Sequence, residues 1–464
     1  MNTEAPASEQ KNAYLGTENV GRLLLKFSVP CVTSMLVSAL YNIVDQIFIG
    51  QGVGYLGNAA TTVVYPFTVI ALALALLIGD GSAALLSLSL GRGERKTGSR
   101  CIGNGIVLTV AVSLVLTVLG FVFEDAILTL FGVTEGCYQY ARDYMTVILF
   151  GIPFYVFTSS ANGQIRADGA PKYAMISTAV GAVINLIGDP LAIFVFNQGV
   201  RGAAIATIAG QIVSAIISAL YFRRPRSFTL DQSSFRLNGH IVRQICQLGI
   251  SSFIIQVAIV IIMTVANNSI GRYGPLSEYG ADIPLSAIGI VMKVFAIVIS
   301  FAVGIAVGGQ PIVGFNYGAR RYGRVRKTFK YIILSNIVVG LTATVLFELC
   351  PQAIVSLFGN ESALYNEYAC MCFRIFLCAI VFTCLSKACS IFLQSIGRPV
   401  GSTILAVARD VVFFVPGVLL LSASAGVTGM LWAAPISDVL SILLAVLLIA
   451  LEFRSMRRLE AAGR

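Results

Sequence analysis

Long apolar runs recur along nearly the whole chain, each bounded by charged or turn-forming residues instead of a soluble segment. At roughly 1.5 Å per residue, about 20 apolar residues cross the hydrocarbon of a bilayer as a helix. Twelve candidate helices follow, at 27–50, 59–90, 101–123, 142–165, 172–196, 202–222, 247–270, 284–316, 331–349, 365–396, 399–421 and 429–453. They leave little of the 464 residues for anything else. Composition agrees, since 57% of the residues are hydrophobic and only 12% charged, against about 45–50% and about 25% in soluble domains. The expected fold class is an all-α polytopic membrane protein.

The net charge of +10 has a topological origin, because the 32 Lys and Arg lie between apolar blocks, not along one exposed face. Nucleic acid is therefore not an expected partner. With the amino terminus inside, 25 of these cations fall in inner segments, while the outer loops hold only Arg142, Arg201 and Arg272. That is the positive-inside bias. Acidic residues run the other way, with Glu124, Asp125, Glu135, Glu278, Asp282, Glu348, Glu361 and Glu367 outside. An odd number of helices would scramble both trends. Both termini are expected in the cytoplasm, and the chain is expected to be a multi-pass protein of the inner (plasma) membrane. Residues 1–22 lack the apolar core of a cleavable signal. Ten scattered cysteines and a single His240, in a basic loop, suggest neither a disulfide framework nor a metal cluster.

The two halves repeat. Leu130-Phe131-Gly132 returns as Leu357-Phe358-Gly359, Gly81 and Gly91 as Gly308 and Gly318, Gly169-Ala170-Pro171 as Gly397-Arg398-Pro399, and Gly199-Val200-Arg201-Gly202 as Gly426-Val427-Thr428-Gly429, each at a shift of 227 or 228. Matches in one order, each at the same place relative to the helices, indicate two pseudo-symmetric six-helix lobes. Six is even, so the lobes insert in the same sense, related by an axis along the membrane normal. The expected organisation is a tail at 1–22, an N-lobe at 23–222, a linker at 223–246, a C-lobe at 247–453 and a tail at 454–464. A cleft between such lobes is the usual seat of a substrate in alternating access.

No GxxxxGK[ST] motif is present, so ATP is not an expected partner and no cofactor is expected. Uphill transport would draw on an ion gradient through carboxylates within the membrane, where charge is costly and persists mainly where it is used or paired. Five acids fall inside the predicted helices: Asp45, Asp80, Asp189, Asp410 and Asp438. Asp45 lies about 18 residues beyond the inner end of helix 1, and Asp189 about 17 beyond that of helix 5, so they share a depth in the outer half. Asn185 precedes Asp189 by one helical turn and shares its face. Pro190 removes a backbone donor and frees the Leu186 carbonyl. Such an all-oxygen cluster suits Na⁺, or a proton exchanged near neutral pH if the site is dry. The plainer alternative is two carboxylates solvated at an outer mouth or capped by hydroxyls.

Pro30 would bend helix 1 and let its Asp45 end swing. Asp80, between Gly79 and Gly81, sits nearer the cytoplasmic side, and Tyr41 and Gln164 join it as candidates for coupling or for a cavity. In the second lobe Lys293, Arg374, Arg409, Asp410 and Asp438 mix both signs, and a gating or structural ion-pair network is the favoured reading. Substrate contact is the alternative there, and Lys387, nearer the inner face, is expected to snorkel. Tyr41, Phe154, Tyr155, Phe157, Met263, Met292 and Phe295 either line a cavity for flat cations or pack as ordinary helix core.

The segments Leu40-Tyr41-Asn42-Ile43-Val44-Asp45-Gln46-Ile47-Phe48-Ile49-Gly50, Gly79-Asp80-Gly81 leading to Leu90-Gly91-Arg92-Gly93, Asn185-Leu186-Ile187-Gly188-Asp189-Pro190, and Gly309-Gln310-Pro311-Ile312-Val313-Gly314-Phe315-Asn316-Tyr317-Gly318 resemble the multidrug and toxic compound extrusion (MATE) transporters of bacteria. The likeness runs over residues 20–450 or so. It implies a twelve-helix exporter of organic cations and drug-like compounds, driven by inward H⁺ or Na⁺. It also implies an ion site at Asp45, Asn185 and Asp189, with Pro30 as the bend. Other members place acidic ion ligands in helices 7 and 10, where this chain offers Gln256, Asn267, Asn268, Arg374 and Lys387, so a carboxyl-lobe ion site of that kind is not expected. The expected function is secondary antiport by a monomer. A flippase for a lipid-linked saccharide, using Lys293, Arg374 and Arg409 to hold pyrophosphate, is the alternative. No nucleophile motif supports an enzyme.

Overall fold

The computed structural model describes residues 10–133, 135–280, 282–356 and 363–461. Residues 1–9, 462–464, Glu361 and the Leu357-Phe358-Gly359 half of one repeat lie outside the described residues.

Among the described residues every regular element is helical, and eleven helices, or twelve when one bent pair counts as a span, are long and apolar enough to cross a membrane. The first lobe comprises α1 (Val20–Gly52), α2 (Tyr55–Gly91), α3 (Arg95–Val122), α4 (Tyr138–Ala167), α5 (Pro171–Pro190) and α6 (Gly199–Tyr221). The second comprises α7 (Gly239–Tyr273), α8 (Asp282–Gly318), α9 (Tyr322–Leu349), α10 (Ala363–Phe376 and Ile380–Ser395, meeting at 46°), α11 (Pro399–Leu431) and α12 (Ala433–Ala461).

The repeat reads through to the backbone. Gly169 and Gly397 both take positive φ, +83° and +76°, and so end one helix, while Pro171 and Pro399 open the next at positions where a missing N–H is harmless. Both lobes also carry a π turn on their fifth helix, Leu191–Val195 at its end in the first and Ala408–Phe413 within it in the second. Such turns concentrate at functional sites. The lobe contact is reciprocal: α1 packs on α8, and its counterpart α7 packs on α2.

That contact is closest at the end carrying the basic loops. A Cβ on Gly249 would lie 1.8 Å from the Leu77 carbonyl, and one on Gly81 2.1 Å from that of Ile245. No side chain fits at either place, so α2 and α7 touch backbone to backbone. Gly91 and Gly318 close the α2–α8 seam in the same way, each within 2.3 Å of the opposing carbonyl.

Several boundaries differ from the pattern-based ones. α7 begins at Gly239, so His240 and Arg243 are helical and the connection between the lobes spans 222–238. That connection is pinned by the first lobe. Asn104 Nδ2 donates to the carbonyls of Ser234 and Arg236 at 3.2 and 3.0 Å, and the fully buried Asp168 accepts from Tyr221 Oη, from the Arg226 and Ser227 backbone, and from Ser227 Oγ. Gln10–Thr17 forms a short helix docked on the second lobe, where Asn316 Nδ2 and Arg324 Nη2 donate to the Leu15 carbonyl at 2.9 and 3.1 Å. The stretch read as one helix at 365–396 bends where i→i+3 bonds from Ile380 and Phe382 replace the regular ladder.

Candidate functional site

A cavity of about 650 Å³ lies between the lobes. It extends along α7 from Ser252 to Met263, about 16 Å at 1.5 Å per residue. The first lobe lines it with polar groups, among them Tyr41, Asn162, Thr178, Asn185, Thr207 and Gln211. The second lines it chiefly with apolar ones, including Ile255, Met263, Met292, Phe295, Phe376 and Phe414. A wall of this kind suits flat, apolar bodies that carry a polar or charged edge. Of the aromatics singled out in the sequence, Tyr41, Tyr155 and Phe295 line the cavity; Phe157 instead packs edge-on against Phe222 in the lobe core.

Asp45 and Asp189 meet, their carboxyl groups within hydrogen-bonding reach of each other. Asn185 Nδ2 donates to Asp189 Oδ1 at 3.0 Å and to Thr207 Oγ1 at 3.1 Å. Asp45 Oδ1 and Asp189 Oδ2 are buried atoms without a partner, so the cluster holds two carboxylate oxygens with nothing to accept. Two adjoining carboxylates cannot both stay ionised and unpartnered in such a place; a proton or a small cation between them relieves the repulsion. Thr207, on α6, is the member that the sequence reading missed. It carries no charge and has no mark beyond a hydroxyl in an apolar helix. α1 continues as an unbroken helix through Pro30, which is buried. On α5 the proline-associated irregularity is the π turn right after Pro190, beginning two residues beyond Asp189.

Asp80 lies at the floor of the cavity. Its Oδ2 accepts from Ser252 Oγ on α7 at 2.9 Å, and Arg166 Nη2 stands 3.8 Å from its Oδ1. Gln394 on α10 extends this contact, donating to the Leu248 carbonyl at 2.7 Å and to Ser252 Oγ at 3.2 Å. Gln164 is placed elsewhere: it is 1% exposed, does not line the cavity, and its amide ends beside Gly105 and Ser82 in the core of the first lobe.

In the second lobe the expected network forms with different members. Arg409 Nε donates to Asp438 Oδ1 at 2.9 Å and its Nη1 to Asp410 Oδ1 at 2.6 Å; Lys387 Nζ donates to Asp410 Oδ2 at 2.7 Å, and Thr383 Oγ1 to Asp438 Oδ2 at 2.7 Å. Lys387 is thus an ion-pair partner and does not snorkel. These pairs include neither Lys293, which is half-buried on α8, nor Arg374, which is exposed on α10. Neither lines the cavity, which corrects their candidacy. Among the described residues no group of three or more His, Cys, Asp or Glu could hold a metal ion.

The family profile described as MatE matches residues 30–191 and 253–419, a stretch in each lobe that takes in Asp45, Asp189 and Asp410. The chain belongs to the MatE family. It is 24% identical over 439 residues to the multidrug export protein MepA of Staphylococcus aureus (strain MRSA252), covering 94% of this chain and 95% of that protein. Among solved structures, it is similar to the MATE multidrug transporter DinF-BH, with 32% identity, a TM-score of 0.87, and coverage of 94% and 96%. It also superposes on an outward-facing MATE transporter of the MOP superfamily with a TM-score of 0.88 at 22% identity, over 97% and 99% of the two chains. The MATE fold and its two lobes, expected from the sequence, are therefore shown for this multi-pass membrane protein.

Proposed function

We propose that this MatE-family chain is a secondary multidrug efflux antiporter. It exports organic cations and drug-like compounds through the inter-lobe cavity in exchange for H⁺ or Na⁺ bound between Asp45 and Asp189. The observation that carries this reading is the pair of facing carboxylates with an orphaned oxygen each, beside a cavity of drug size. Names among its relatives, multidrug export protein and multidrug transporter, support efflux as the activity. Bound ion favours one arrangement of the lobes; its release to the other side favours the second, and substrate crosses with the switch. The basic end faces the cytoplasm, following the positive-inside bias of Arg92, Arg95, Arg320, Arg321 and Arg454. The chain works as a monomer in the inner membrane.

The test is efflux of ethidium from cells and from liposomes under an imposed pH gradient or an imposed Na⁺ gradient. Asp45→Asn and Asp189→Asn are each expected to abolish gradient-driven efflux while the protein still reaches the membrane. Full efflux in both variants overturns the ion site. The flippase alternative has less support, since Arg409 lines the cavity and Lys293 and Arg374 do not.

A further inference from the structure

The quartet of Lys387, Arg409, Asp410 and Asp438 is unusual in having one end in the cavity. Asp410 and Asp438 are each 2% exposed, and Arg409 is clamped by both of them and by Thr383. The Lys387 side chain is 14% exposed, and one of its three ammonium hydrogens accounts for its bond to Asp410. Two cations and two anions balance, but only while Lys387 is protonated. The other titratable side chains lining the cavity are Asp80 and Arg166 at the floor and Tyr41, Tyr65 and Tyr155 on the first-lobe wall. From α11 and α12, Arg409, Asp410 and Asp438 complete the charged surroundings of the Lys387 ammonium.

We propose that the Lys387–Asp410 pair is a second exchange site, at which a cationic group of the substrate takes the place of Lys387 on Asp410 Oδ2 and Lys387 releases its proton to water in the cavity. The step balances. One positive charge joins Asp410, one proton leaves the Lys387 nitrogen, and the quartet stays neutral. An ammonium that has lost its carboxylate at the edge of a low-dielectric wall is costly to keep, so substrate entry and proton loss are linked. Met292, Phe295 and Phe414 stand in the same wall to receive the apolar body of an aromatic cation. The reaction runs in reverse on the outer side, where substrate leaves and Lys387 is reprotonated.

This inference rests on the exporter reading, and its test separates the two. Purified protein in weakly buffered detergent solution is titrated with ethidium while a pH dye reports protons released. Lys387→Arg keeps a permanent cation on Asp410: it is expected to release one proton fewer per ethidium bound and to bind ethidium roughly tenfold more weakly. Lys387→Met leaves Asp410 short of a cation: it is expected to lose the same proton but to bind ethidium at least as tightly as wild type. A folding defect would weaken both. Proton release equal to wild type in both variants overturns the Lys387 assignment alone. Wild type that neither binds nor exports ethidium overturns the exporter reading and this inference with it.

Discussion

At the residue scale, the cluster proposed to hold the coupling ion is a set of acceptors held by few donors. Asn185 spends both amide hydrogens, one on Asp189 Oδ1 and one on Thr207 Oγ1, and so fixes the geometry of the pair. Replacing Thr207 by Val removes one of these bonds without touching a charge. A hydrogen bond contributes about 1 kcal/mol, so the variant is expected to need about fivefold more coupling ion for half-maximal efflux. The measurement is the ion dependence of ethidium efflux in liposomes, with unchanged dependence on ion the contrary result. Asp45, Asn185 and Asp189 were legible because a carboxylate at membrane depth is expensive and depth follows from counting residues. Thr207 was not, since hydroxyls in apolar helices are common and usually bond within their own helix, as Thr33 and Thr264 do here. Lys387 was misread for a related reason. Sequence gives a residue's height along a helix, but its partner, Asp410, belongs to a different helix whose phase is set by the π turn at Ala408–Phe413.

At the scale of elements, glycines decide how closely the lobes approach. Ordinary van der Waals contact would set a Cβ on Gly249 about 3.4–4 Å from its neighbours, yet the Leu77 carbonyl would be 1.8 Å away. Gly249→Ala must therefore push α2 and α7 apart in the halves that carry the basic loops, or abandon this arrangement. Distances between spin labels on the ends of α2 and α7 that carry the basic loops are expected to shift to longer values, with transport of ethidium slowed. Labels that keep their wild-type distance distribution would show that the glycine seam does not set the spacing of these helices. The helices themselves were read well from the apolar blocks, which mark where lipid is met. Their ends were less legible. The first turns of α7 are polar yet helical, and hydropathy cannot tell a polar helix from a loop. The connection at 222–238 is ordered by Asn104 and Asp168, contacts too distant in sequence for local pattern to reveal.

For the whole molecule, two exchange sites imply a particular stoichiometry. If only the Asp45–Asp189 site carries an ion, one positive charge enters for each monovalent cation that leaves, and the membrane potential does no work. If Lys387 also returns inward with a proton, two positive charges enter against one leaving. Each net charge then draws about 2.3 kcal/mol from 100 mV, which sustains a gradient of roughly 50-fold at about 1.4 kcal/mol per factor of ten. The internal repeat suits such a scheme: each lobe holds one carboxylate cluster on or beside the π turn of its fifth helix, and each cluster reaches the cavity, the first through Asn185 and Thr207 and the second through Lys387, Arg409 and Asp410. In liposomes with no pH or Na⁺ gradient, a potassium diffusion potential, negative on the side that corresponds to the cytoplasm, is expected to drive ethidium out across the membrane in wild type. In Lys387→Arg the same potential is expected to drive none, while an imposed ion gradient still does. Equal response to potential in the two proteins would mean that the second lobe carries no exchanged proton.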